Sequence, residues 1–115
     1  MIVRTWRGWV RTEDAANYVT YIGETGMREY RETPGNLAAF MLRRDLDDGR
    51  AEFVTVSFWE SMDAIRAFAG DDVTAAVYYP DDEQYLVERE DTVTHFDVAS
   101  AAAAAEWAAS LPSGW

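Results

Sequence analysis

Several segments of this chain put apolar side chains on both of their alternating faces, and few folds can bury a strand from two sides. Residues 2–10 (IVRTWRGWV) carry Ile2, Trp6 and Val10 on one face and Val3 and Trp9 on the other. In residues 51–59 (AEFVTVSFW), Phe53, Thr55, Ser57 and Trp59 alternate with Val54, Val56 and Phe58. Residues 36–44 (NLAAFMLRR) form another strand, joined to 51–59 through Asp47-Asp48-Gly49, so these two make a hairpin. A closing strand at 92–98 (TVTHFDV) alternates Val93, His95 and Asp97 against Thr94, Phe96 and Val98.

Helical signals fall between these strands. Thr12, Glu13 and Asp14 predict a helix start, with a capping hydroxyl and two carboxylates at the positive end of the dipole. Ala15, Ala16, Val19 and Ile22 continue it at helical spacing, with Gly23 and Gly26 as weak points, until Thr33-Pro34-Gly35 stops it. Ser61 is placed to cap a second helix with Ala64, Ile65, Phe68 and Ala69 as its buried stripe, ending at Gly70. A short helical piece is expected around Val73 to Tyr78, broken by Pro80, and residues 84–88 are ambiguous.

The order β-α-β-β-α-β predicts an α+β, ferredoxin-like fold with a four-stranded antiparallel sheet. Both helices then cover one face of the sheet. Leaving the greasy second face in water would forfeit on the order of 10 kcal/mol at about 25 cal/mol per Å², comparable to the stability of a domain. The economical remedy is a homodimer that pairs sheet with sheet.

Composition narrows the partners. The formal charge is −11, from ten basic residues, all Arg, against 21 acidic ones, which argues against nucleic acid. There is no cysteine, so thiolate nucleophiles, disulfides and Cys-ligated metal are excluded. A single histidine cannot build a multi-His metal site, and no metal is expected. The opening stretch with Arg4 and Arg7 does not resemble a signal peptide and no apolar run suits a membrane span, so a cytoplasmic protein is expected. The acidic pairs Asp47-Asp48, Asp71-Asp72 and Asp81-Asp82 are expected on a solvated face, through coding bias or adaptation to high salt. Residues 1–98 form the expected domain. The Ala-rich tail, 99–115, is either a small helical latch through Trp107 and Leu111 or a frayed end.

Phe58-Trp59-Glu60-Ser61, Ala64-Ile65-Arg66-Ala67-Phe68-Ala69-Gly70, Ala76-Val77-Tyr78-Tyr79-Pro80 and Val93-Thr94-His95-Phe96-Asp97-Val98 carry a further signal. Together with the first strand and Thr33-Pro34-Gly35-Asn36, this pattern resembles the antibiotic-biosynthesis-monooxygenase family over roughly residues 1–98. The resemblance implies the dimeric α/β barrel. It points to a cofactor-independent monooxygenase acting on a phenolic or polycyclic aromatic molecule, and so to no cofactor. Such chemistry asks the protein for a dry pocket, a deprotonation and a stabiliser for the phenolate. A non-catalytic ligand-binding or assembly domain of the same fold is the alternative.

The resemblance also assigns candidate residues. Trp59 matches the Trp that such enzymes place in their aromatic pocket, although a large core residue at the seam of sheet and helix would look the same. His95, alone in titrating near neutrality, is the candidate base, or else a histidine satisfied in the core. Trp6, Phe68, Tyr78, Tyr79 and Arg4 are the candidate substrate-binding residues; Arg4 and Arg7 fall on opposite faces of the first strand, and one of them is open to pair with an anionic substrate or with Asp97. Haem-degrading relatives bind iron through a His that falls on or near Tyr78, and their porphyrin-ruffling Trp falls near Phe68; both departures speak against haem degradation.

Overall fold

The computed structural model describes residues 1–106. Strand β1 (Ile2–Arg11) is its spine. After a single 3₁₀ turn at Thr12–Asp14, helices α1 (Ala15–Glu24) and α2 (Gly26–Glu32) follow. The hairpin β2 (Asn36–Asp45) and β3 (Arg50–Trp59) comes next, then α3 (Met62–Ala69), the short α4 (Asp82–Tyr85), β4 (Leu86–Arg89) and β5 (Thr94–Asp97). The sheet order is β2-β3-β1-β4, with β5 also on β1, and all pairings are antiparallel. This is the expected ferredoxin-like α+β topology with its fourth strand cut in two. β4 pairs with Gly8 to Val10, β5 with Ile2 to Thr5, and the gap between them lies opposite Trp6.

The register sorts side chains onto two faces. Directly opposed residues share a face, so Ile2, Arg4, Trp6, Gly8 and Val10 lie with Trp59, Ser57, Thr55, Phe53 and Ala51. The helices pack here. Val10, Ala51 and Phe53 bury Ala15, Tyr18 and Ile22 of α1, and Trp59 buries Tyr30 and Ile65 from α2 and α3. The other face presents Val3, Trp9, Ala38, Phe40, Leu42, Val54, Val56, Phe58 and Phe96. Leu42 stands 51% exposed there and Phe96 55%.

Local details follow the side chains present. Gly49 takes φ +82° in the hairpin loop, the left-handed position such a turn requires. Ser61 caps α3, its Oγ accepting the Ala64 N–H at 3.2 Å. Thr12 does not cap: its backbone N–H donates to Gly49 O at 3.0 Å and the 3₁₀ turn has no side-chain cap. The first helix breaks at Thr25, whose hydroxyl returns to Tyr21 O at 2.9 Å and competes with the backbone ladder. Its buried stripe is Ala15, Tyr18 and Ile22, whereas Ala16 and Val19, expected inside, are exposed.

The helical piece expected at Val73 to Tyr78 does not form. Residues 70–81 run as an irregular strap across the helix side of the sheet, and one isolated bridge joins Ala75 to Thr92. Its carbonyls are claimed by a side chain from β1, described below, and those bonds outweigh a weak local propensity. The ambiguous segment 84–88 divides between α4 and β4. Residues 101–106 are exposed, and the expected latch through Trp107 and Leu111 lies outside the described residues. Among the described residues, no helix is long and apolar enough to cross a membrane.

Candidate functional site

The strap closes a cavity against the helix side of the sheet. Its walls come from β1 (Arg4 and Trp6), α1 and α2 (Tyr18 and Tyr30), α3 (Phe68) and the strap itself (Tyr78 and Tyr79). Asp82, at the start of α4, completes it. The cavity is small, about 50 Å³.

Arg4 is the electrostatic centre of this wall. It is only 3% exposed, yet it makes no ion pair among the described residues. Nη1 donates to Val73 O at 2.6 Å and to His95 Nε2 at 3.0 Å, and Nη2 donates to Ala75 O at 3.0 Å. The guanidinium carbon stands 5.9 Å from the Phe68 ring centroid. Burial pulls the guanidinium below its ordinary pKa. A buried cation is costly without a counter-charge. Of its five N–H donors three are engaged, leaving Nε–H and one Nη2–H for another acceptor.

His95 stands behind Arg4, which it faces across the β1–β5 pairing, and it is not in the cavity wall. Arg can only donate, so His95 Nε2 accepts and the ring is neutral, with its proton on Nδ1. Burial, and then the Arg4 charge, hold its pKa below the usual histidine value. The lone pair that a base would use is already occupied by Arg4. Asp97, expected as a partner for an arginine of β1, is exposed and is not bonded to Arg4.

The remaining candidates divide in the same way. Trp59 is completely buried, its indole N–H donating to Ser57 Oγ at 2.8 Å, and it packs against Tyr30 and Phe68 outside the cavity wall. Phe68 stacks on Tyr30 with centroids 4.9 Å apart. Trp6 and Tyr78 meet edge to face, and both donate to Glu90 O at 2.8 Å, so one carbonyl fixes two walls. Tyr79 donates its hydroxyl to Glu29 on α2, tying the strap to the helix layer. Arg4, Trp6, Phe68, Tyr78 and Tyr79 thus share the cavity; Trp59 and His95 support it from behind.

Sequence reasoning missed Tyr18, Tyr30 and Asp82. Tyr18 sits on the Ala15–Ile22 stripe and was accessible to a helical-periodicity argument. Asp82 was not: it belongs to an acidic pair expected on a solvated face, and it is 3% exposed. Its Oδ2 accepts the Tyr79 N–H at 2.7 Å.

Gly8 sets the position of Trp6. A Cβ on Gly8 would overlap Cη2 of Trp6 and come within 2.9 Å of Leu86 Cδ2. Gly8→Ala is expected to displace the indole from Glu90 O and to cost about 1–3 kcal/mol, as overpacking does. Denaturant melts and the Trp emission maximum measure both effects.

No family model matches the sequence, and no curated protein does. Solved structures do. A Bacillus cereus protein assigned by name to the antibiotic biosynthesis monooxygenases superposes with a TM-score of 0.64 at 18% identity, over 90% of this chain and 97% of that one. A second structure named antibiotic biosynthesis monooxygenase gives 0.60 at 16% identity, over 87% and 100%. A variant of MhuD with two manganese protoporphyrin IX bound per active site gives 0.59 at 17% identity, over 90% and 100%. The residues here do not match the iron-ligand position of a haem degrader, because Tyr78 stands there and its hydroxyl is already donated to Glu90 O. The chain has the fold that the antibiotic-biosynthesis-monooxygenase structures and MhuD share.

Proposed function

We propose that the cavity binds an aromatic small molecule as its anion and that the protein is a cofactor-independent monooxygenase on such a phenolic compound. The observation that carries this reading is Arg4, a buried guanidinium with no carboxylate partner among the described residues, set in a wall of aromatic rings. A phenolate would supply the missing charge, take the two spare N–H donors and lie against Trp6 and Phe68. His95 then acts as a positioning residue, holding Arg4 rather than taking the substrate proton. Exclusion of water by the strap strengthens every such interaction.

Oxidation of an anthrone-type methylene by O₂ to a carbonyl and water balances without an added reductant. Purified protein incubated with anthrones and naphthols under O₂ is therefore expected to consume one O₂ per carbonyl formed. Tight binding without oxygen uptake would instead mark a non-catalytic binding domain, and a Soret titration tests haem directly.

The same reading includes a second copy of the chain. The apolar face made by Val3, Val54, Val56 and Phe96 supports closure by sheet-to-sheet pairing, since no helix of this chain packs on it among the described residues.

A further inference from the structure

The cavity contains a second polar group that a phenolate on Arg4 leaves unused. Asp82 is 3% exposed and lines the cavity. Its Oδ2 is satisfied by the Tyr79 N–H, but Oδ1 is buried with no hydrogen-bond partner. Such an orphan is costly, and folded proteins keep few of them. Asp82 forms no ion pair among the described residues, so the cavity's carboxyl and its guanidinium line the same space without meeting. The groups that bear on it electrostatically, Arg89 and Asp81, give it no bond, for Arg89 lies over the Tyr78 ring at 4.1 Å. Burial raises its affinity for a proton.

We propose that the ligand is bifunctional: an acidic oxygen is held by Arg4, and a separate hydroxyl or amino group donates to Asp82 Oδ1. The inference rests on the aromatic-anion reading of the cavity and adds to it a second recognition point and a substrate class. Aromatic rings line the cavity together with these two polar groups, so the matching molecule is flat, acidic at one place and a hydrogen-bond donor at another. A molecule with the acid alone would bury Oδ1 unpaired, and selection against it follows from that penalty.

The test uses the whole chain without O₂ and three probes in calorimetry: 2-naphthoic acid, 6-hydroxy-2-naphthoic acid and its 6-methoxy ether. The hydroxy acid is expected to bind about tenfold more tightly than the other two, the fold-change that one buried hydrogen bond supplies. Asp82→Asn, nearly isosteric, is expected to cut that preference to about threefold or less, and Asp82→Ala to abolish it. If Asp82→Ala does not fold, the wild-type ratio and Asp82→Asn still decide. Equal binding of the three probes by wild type, as when a cavity water satisfies Oδ1, overturns the inference alone. An Asp82→Asn variant that keeps the full preference does the same. Failure of all three to bind overturns it together with the aromatic-anion reading, whereas oxygen uptake does not enter the measurement.

Discussion

Replacing Arg4 by Met is expected to weaken binding of an aromatic anion by at least about 10- to 150-fold, the worth of each charge-assisted hydrogen bond lost in a dry site. The same change should loosen the strap. Val73 O, Ala75 O and His95 Nε2 all lose their donor, while the chain is relieved of a buried, unpaired charge. The two contributions oppose one another at several kcal/mol each, so global stability should move little while the strap moves a great deal. Amide exchange at Ala76 and Val93, which donate to Asp91 O and Thr74 O, reports the strap directly. Arg4→Lys should lie between: a single ammonium keeps the charge but cannot fork between two carbonyls. Unchanged exchange together with unchanged affinity in Arg4→Met would sink the role assigned to this residue.

The second large effect is expected at Val56, in the middle of the apolar face between Thr5 of β1 and Phe40 of β2. Val56→Asp puts a carboxylate where sheet-to-sheet pairing would leave it dry and unpaired, a penalty of several kcal/mol, so dimer dissociation should strengthen by about a thousandfold or more. Sedimentation velocity at micromolar concentration should show a dimer for wild type and a monomer for the variant. Side chains alternate along a strand, so Val56 points away from the cavity that Thr55 lines, and far-UV circular dichroism should be unchanged. A wild-type protein that sediments only as a monomer would fail this prediction.

Much of the architecture was legible because it depends on period and on turn chemistry. Alternation on β1 and β3, the Asp47-Asp48-Gly49 loop and the Ser61 cap are local properties, and each appears where the residues place it. The strap was not legible. A segment from Val73 to Tyr78 with some helical character gives its carbonyls to Arg4, 69 and 71 residues away, and no local propensity reports a partner at that distance. The candidate site divides along the same line. Aromatic residues at Trp6, Phe68, Tyr78 and Tyr79 signal a cavity wall by type alone, whereas His95 and Trp59 drew notice through their chemistry and stand behind the wall.

By itself, then, the sequence determined the order of strands and helices, their faces and an apolar excess too large for one sheet face, because hydrophobic period and turn residues act between near neighbours. Only the tertiary structure decided that Arg4 and Asp82 are buried in one cavity without pairing and that Arg4 occupies the lone pair of His95. The physical reason is that the cost of a charge depends on what surrounds it, and those surroundings come from segments brought together by the fold.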